Sequence, residues 1–470
     1  MGTRLLLAVV LSLLASAAVG QKIWMNSHQQ CRLDRLSARQ PSQRIESEGG
    51  VTELWDEADD QFRCAGVAPM RNILQPNSLS LPKFHPSPRL IYIERGRGLL
   101  GVTIPGCAET FQSGQSSSRR FEGEVEQDQH QKVRRVRRGD IVAMLPGVAY
   151  WFFNDGNDEL VTVSINDLNH QENQLDQRLR VYFLAGGIPR RGQKELDDAS
   201  NGTAVGMLAR RDEEEFEGQA FQNIIKGFDP ELMAEAFNVS PELLRKMQED
   251  DDRGIIVNTR GDLRMIRPDE EEEEEEERRW SSERGEPRSN GFEETLCSMK
   301  LRHNVDDRRS IDFYSRGSGR LHVVNRRKLP VLRFMDMSAV KGDLFPNTLF
   351  TLHWGMNSHS VVYVTRGEAE VQVADQDGRN LMTERVGEGS MFVIPQFFVA
   401  TMRAGSQGVE WISFKTSSSP MDSPVVGYTS VIRAMPVQVI SSAYRVSPSV
   451  ASALKYGRGR ESFMGPSRRS

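Results

Sequence analysis

The residues best suited by type and spacing to undergo chemistry are four cysteines and one asparagine. Cys31, Cys64, Cys107 and Cys297 are the only thiols in the 470 residues. None forms a C-x-x-C pair, and no Cys/His spacing resembles a zinc site. Oxidation is the chemistry left to them in an oxidising compartment: four cysteines allow three pairings, and two disulfides are expected. Seven positions before Cys297 stands Asn290, in the run Asn290-Gly291-Phe292-Glu293-Glu294-Thr295-Leu296-Cys297. Just upstream, Pro268 to Ser289 contains eight consecutive glutamates, Glu270 to Glu277, and has no apolar periodicity. Such a segment cannot bury enough surface to offset its ordering entropy, so it is expected to be disordered and open to proteases. Two readings follow. Residues 268–290 are an ordinary interdomain linker, or they end in a processing site where the bond after Asn290 is hydrolysed and Cys297 keeps the products joined.

The amino terminus bears on which compartment applies. Arg4, the apolar stretch Leu5 to Ala17, and Ala18-Val19-Gly20 before Gln21 match a secretory signal over residues 1–20. The stretch is too short and wrongly flanked for a membrane span, and no later segment is long and apolar enough. The mature protein is therefore expected to be soluble, with no membrane partner. An apolar content of 38% with 27% charged residues fits a globular chain of two or three domains with some polar inserts. The net charge of −5 is unevenly spread. Residues 291–470 carry 23 Lys and Arg against 16 Asp and Glu, net +7, which leaves 37 against 49, net −12, for residues 1–290. The downstream basic residues are scattered among apolar ones, which argues for a solvated surface and against a nucleic-acid arm. With 49 Arg, 11 Lys and 24 Gln, the chain is also rich in nitrogen.

The elements that must position these residues are mostly strands. Residues 21–60 read as a polar start followed by a loop rich in Glu, Gly and Ser. Short apolar runs follow, at Leu90 to Ile93, Leu99 to Ile104, Ile141 to Leu145 and Leu160 to Ile165, punctuated by Gly and Pro. Asp229-Pro230-Glu231 and Ser240-Pro241-Glu242 each start a helix, as cap, first-turn proline and early acid. The second half repeats this order. Tyr92-Ile93-Glu94-Arg95-Gly96 matches Tyr363-Val364-Thr365-Arg366-Gly367, and Gly139-Asp140-Ile141-Val142 matches Gly389-Ser390-Met391-Phe392-Val393. Ala236-Phe237-Asn238-Val239-Ser240-Pro241 matches Ala443-Tyr444-Arg445-Val446-Ser447-Pro448. The chain is thus expected to be mainly β: two barrel or jelly-roll domains, each followed by a small helical extension. The apolar faces of the helices at 229–248 and 429–456 exceed what one barrel needs, which makes them candidate subunit contacts.

These landmarks resemble the bicupins, and the likeness narrows to the legumin-type (11S) seed storage globulins. It is carried by Ile104-Pro105-Gly106-Cys107-Ala108-Glu109-Thr110-Phe111, Asn173-Gln174-Leu175-Asp176-Gln177, Gly227-Phe228-Asp229, the Asn290 to Cys297 octet, and Thr429-Ser430-Val431-Ile432-Arg433-Ala434-Met435-Pro436. The resemblance implies two cupin domains, one over 21–267 in an acidic chain running to 290, and one over 291–470 in a basic chain. It implies cleavage between Asn290 and Gly291 by an asparaginyl endopeptidase. It pairs Cys31 with Cys64, and Cys107 with Cys297 across the cut. It further implies a trimeric precursor, hexamers of the same or similar subunits, and passage through the secretory pathway to the protein storage vacuole of seeds.

Cupin metalloenzymes converge three His and one Glu inside the barrel, a donor set suited to manganese or iron. The matching positions here hold Lys83, His85, Arg89 (or its neighbour Leu90) and Tyr150 in the first copy, and His353, Gly355, Ser360 and Ala400 in the second. Each set retains at most one imidazole, and the two cationic side chains of the first would repel a divalent ion, so no metal, cofactor or catalysis is expected. The alternative is a small-molecule-binding or metal-dependent bicupin of the secretory pathway. Tyr150, Trp151, Phe152 and Phe153 could line a pocket, although packing is their simpler role. Asn201-Gly202-Thr203, in a polar loop, is a candidate glycosylation site, whereas Asn238-Val239-Ser240, followed by Pro241, is expected to be unused. Arg138-Gly139-Asp140 reads as a tight turn entering a strand. The basic run Arg134 to Arg138 lacks the aromatic interleaving of a nucleic-acid site and points to an acidic neighbour or a partner subunit.

Overall fold

The computed structural model describes residues 31, 33–107, 111–112, 129–131, 133–187, 222–249, 253–259, 263, 297, 299–307, 311–458 and 464–466. The amino-terminal stretch, Asn201, the glutamate run and the Asn290–Gly291 bond lie outside the described residues.

The apolar runs of the first half pair into two antiparallel sheets. One follows the order Gln43–Ser47, Gly50–Leu54, Val67–Leu74, Leu160–Asp167, Arg89–Arg95, Asp140–Met144, Arg302–Asn304. The other runs Tyr182–Phe183, Ser78–Phe84, Ala149–Phe153, Arg97–Thr103, Val133–Arg137. The central strand Leu160–Asp167 is buried at every position, with Thr162, Ser164, Asn166 and Asp167 buried beside its apolar residues. In the second half, two long strands, Ser360–Ala374 and Val399–Lys415, pair along most of their lengths and bend at register shifts between Val364 and Arg366 and between Gly367 and Ala369. A bulge of this kind lets one strand serve both walls of a curled sheet. The architecture is mainly β, two jelly-roll barrels.

The duplication extends to backbone angles. Gly96 and Gly367 both take a left-handed φ, +80° and +76°. A Cβ at either would lie 2.2 Å from a carbonyl oxygen across the ladder, that of Glu159 or of Gly408. The helical extensions match equally well. Asp229 caps Pro230–Phe237 by accepting from the Leu232 amide at 2.9 Å, and Asn238 closes it at φ +54°. Arg445 closes Val437–Tyr444 at φ +52°, and Ser447 then caps Pro448–Tyr456. The second extension has one more helical turn than expected, Val431–Ala434, capped by Ser430.

Three features depart from the sequence reading. Residues 43–54 are not a loop: Gln43–Ser47 and Gly50–Leu54 form a hairpin that buries Ile45, Leu54 and Trp55 in the first core. Its polar composition hid the alternation that fixes it. A short helix, Asp60–Ala65, follows, capped by Asp59. The third departure concerns the boundary between the barrels. Arg302–Asn304, assigned by sequence to the second domain, completes the first barrel by pairing with Asp140–Val142. In return, the chain before Gln43 lies on the second barrel. The Leu36 amide donates to Leu381 O at 2.9 Å, Arg39 and Met391 exchange backbone bonds at 2.7 and 2.9 Å, and Leu33 and Leu36 enter the second core.

Gly367→Ala is expected to destabilise the fold by about 2 kcal/mol or more, from positive-φ strain and the carbonyl clash. Urea unfolding would check this, and an unchanged midpoint would contradict it.

Candidate functional site

The first place where chemistry-bearing residues gather is the junction between the halves. Cys107 follows the Arg97–Thr103 strand in a turn held by Gln131, whose amide group donates to Ile104 O and Cys107 O at 2.9 and 3.0 Å and accepts from the Ile104 amide at 2.8 Å. Cys107 is joined to Cys297 with Cα atoms 5.4 Å apart, and Cys31 to Cys64 at 4.6 Å. Five residues past Cys297 the exchanged strand begins, and Asp140 receives it. One Asp140 oxygen accepts from Asn304 Nδ2 at 2.8 Å; the other accepts from the Arg137 amide at 2.9 Å and faces Arg302 at 3.6 Å. Burial pushes the Asp140 carboxyl up, and Arg302 with these hydrogen bonds pulls it back. Arg138-Gly139-Asp140 is the expected tight turn, with Gly139 at φ +86° and Asp140 fully buried. Arg135 of the basic run meets Asp155 at 3.3 Å, an acidic neighbour within the chain.

The second place is the interior of the first barrel, where Lys83, His85, Arg89 and Tyr150 do come together. All four are buried. Tyr150 stands opposite Lys83 in the ladder, and Arg89 enters from the other sheet, ahead of Leu90. Arg89 Nη1 donates to His85 Nε2 at 2.8 Å and to the Tyr150 hydroxyl at 3.0 Å, while that hydroxyl lies 2.9 Å from His85 Nε2. An Nε2 that accepts from a guanidinium is unprotonated, so the imidazole is neutral with its proton on Nδ1. Burial, Arg89 and Lys83 all push the His85 pKa down, consistent with that tautomer. Arg89 Nη2 donates to Ser164 Oγ at 2.6 Å and approaches Met70 Sδ at 3.0 Å. Lys83 donates to Ser80 Oγ at 2.6 Å, and burial together with Arg89 pushes its ammonium down to about 7. One neutral imidazole beside two cationic side chains is a poor divalent-metal site.

The equivalent positions of the second barrel make no cluster. His353 Nδ1 bonds Thr351 O at 2.8 Å and its ring packs 4.2 Å from that of Phe350, while Gly355 and Ala400 offer no donor. Among the described residues, no three His, Cys, Asp or Glu side chains group as a metal site would require. The sequence reading missed Ser164, Ser80 and Met70. A signal existed for Ser164, since Thr162 and Ser164 are polar residues on one face of an otherwise apolar strand.

The chain matches the cupin family model over residues 36–187 and 303–452. It is 51% identical to 11S globulin seed storage protein 2 of Sesamum indicum over 98% of this chain and 97% of that protein, and 42% identical to 11S globulin seed storage protein 1 of Carya illinoinensis over 91% and 89%. Among solved structures it resembles the coconut allergen cocosin (TM-score 0.78, 37% identity, 93% of this chain and 100% of that one). Procruciferin, the 11S globulin of Brassica napus, is equally near (TM-score 0.78, 35% identity, 94% and 99%).

His303, in the exchanged strand, carries a pH prediction. Burial, then the cations Lys300 and Lys328, push its pKa from 6.5 down to about 4, against the weaker pull of Asp307 and Asp312. Its contribution is therefore intact above about 6.5 and lost as pH falls toward about 4. His303→Gln should lose less stability than the parent protein across that window in urea midpoints; equal losses would contradict the assignment.

Proposed function

The chain belongs to the 11S globulins, the two-barrel cupin storage proteins of seeds, and from that membership we propose that it is a nutrient reservoir, a store of nitrogen and amino acids, with no catalytic role. The observation that carries this reading is the 51% identity to the sesame globulin over nearly the whole of both chains. The nitrogen-rich composition supports it, as does the lysine and arginine pair that replaces metal ligands in the first barrel.

The same reading covers maturation. The precursor enters the secretory pathway, travels to the protein storage vacuole, and is cut after Asn290 by an asparaginyl endopeptidase. The acidic chain ending at Asn290 and the basic chain beginning at Gly291 stay linked through Cys107–Cys297. Precursors are trimers, and cut trimers pair into hexamers with identical or similar globulin subunits. The helical extensions support the trimer. Phe228, Leu232, Phe237 and Leu243 on the first, and Tyr428, Val439, Tyr444 and Leu454 on the second, are exposed apolar side chains. Two related but non-identical patches on one subunit suit head-to-tail association, which closes into a ring. Among the described residues no helix is long and apolar enough to cross a membrane.

Two measurements test this. On a denaturing gel of seed material, one band without reductant should resolve into two with it, the smaller beginning at Gly291; a band unchanged by reductant would refute the maturation scheme. Gel filtration of the uncut precursor at micromolar concentration should give a trimer, and a stable monomer would overturn that assignment.

A further inference from the structure

Three loops of the second barrel meet beside the Cys31–Cys64 bridge, and a cleft of about 480 Å³ opens between them. His359 enters it from just ahead of the Ser360–Ala374 strand, Asp375, Gln376 and Arg379 from the turn after that strand, and Gln396, Phe397 and Phe398 from the turn before Val399–Lys415. The volume is that of a small-molecule site. Phe397 is the irregular member. Among the described residues, six other than glycine take a left-handed φ; four are Asn or Asp, Arg445 ends a helix, and Phe397, at +68°, is the one aromatic. A bulky side chain is strained in that region. Burial does not offset the strain, since the residue is 65% exposed. The turn itself holds the ring out: the Phe397 amide donates to Gly355 O at 2.9 Å and the Phe398 amide to Pro395 O at 3.2 Å.

The polar groups around that ring suit a neutral partner. His359 Nδ1 accepts from the Gln396 amide at 3.2 Å, so the ring carries its proton on Nε2, a donor on the wall of the cleft. Burial pushes the His359 pKa down to about 4, which keeps the imidazole neutral. Gln396 Nε2 donates to Met356 O at 2.9 Å, which leaves Oε1 to accept. The charges offset one another. Asp375, buried, accepts from Arg379 Nε and Nη2 and from the backbone amides of Asp377 and Arg379, at 2.7 to 3.0 Å, and Asp34 also acts on Arg379.

We propose that this cleft is a saccharide-binding site, in which a pyranose ring lies on the exposed face of Phe397 while its hydroxyls bond the side chains of His359, Gln376, Gln396 and Arg379. The C–H groups on one face of such a ring carry partial positive charge and suit the negative face of an aromatic. Neighbouring hydroxyls both donate and accept, which matches a rim of imidazole N–H, amide and guanidinium groups. Because Asp375 and Arg379 already satisfy each other, an organic ion would meet no free counter-charge there. The inference goes beyond storage and does not depend on it. A free sugar and the end of a glycan chain share this chemistry.

The test is saturation-transfer NMR on the intact purified protein. Sucrose stands for a free sugar, methyl α-glucopyranoside and methyl α-galactopyranoside for glycan ends, and glycerol for a polyol without a ring. At least one saccharide should show saturable transfer in the millimolar range, strongest at its ring C–H protons, with none to glycerol and no displacement by benzoate. Which saccharide responds names the source. Phe397→Asn should weaken binding by about tenfold, the loss of one aromatic stacking contact, whereas Phe397→Trp should keep it. The Tm of Phe397→Asn should be unchanged or higher, because asparagine tolerates a left-handed φ. If that variant is destabilised, Gln376→Ala, at an exposed side chain, is read by the same titration and should also bind more weakly. No saturable transfer to any of the three saccharides, unchanged affinity in the variant read, or displacement by benzoate would each overturn the proposal.

Discussion

The buried carboxylate of Asp140 fastens the two halves of the chain. It belongs to the first barrel, yet Arg302 and Asn304, which face it, come from beyond the cysteine that joins the halves. Removing either partner would leave a charge or an acceptor stranded in the core, a loss larger than the pair's own net contribution. The reciprocal contact is the run from Leu33 to Arg39, laid across the second barrel. The core between them is also shared. Tyr363 of the second barrel packs edge-on against Trp55 at 6.2 Å, and its hydroxyl reaches Glu94 at 3.3 Å, where Arg71 holds the carboxylate. Each barrel is thus completed by residues from the other side of Cys297.

Duplication gave both barrels one frame without one interior. The two turns at Gly96 and Gly367 superpose in angle and in what they press against. Inside, the copies differ. The first collects Lys83, His85, Arg89 and Tyr150; the second leaves His353 bonded to its own strand and Lys415 paired with Asp422. Backbone geometry is constrained by the ladder at every residue, whereas an interior position is constrained only by volume and by whether its polar atoms find partners. A shared frame therefore does not carry a shared site, which is why the barrel alone says little about chemistry.

Much of the frame was legible because its signals are local. Leu160 to Ile165 is apolar enough to announce a buried strand, and Asp229-Pro230 and Ser447-Pro448 announce helix starts through the hydrogen bonds that their side chains make. The ring of residues in the first barrel could be placed by likeness to cupin ligand positions, although nothing in the sequence revealed that Ser80 would hold its lysine. The exchanged strand was illegible for a physical reason. Arg302-His303-Asn304 has no apolar periodicity, and it becomes a strand only because the edge of Asp140–Met144 offers it backbone partners and a buried carboxylate. The hairpin at 43–54 failed similarly, its few apolar residues lying among glutamate and glycine.

The bond between Cys107 and Cys297 also sets the order of the folding reaction. An uncut chain folds as a first-order process, with both barrel-completing segments always near their targets. A chain opened at the proposed site has two pieces, each carrying a segment that the other needs. With the sulfur bridge intact, the effective concentration of one piece around the other stays in the range of a short tether, about millimolar. Once the bridge is reduced in an unfolded molecule, reassembly becomes second order and must compete with proteolysis. For a chain opened there, assembly as a single molecule before the cut would be the kinetically easier route.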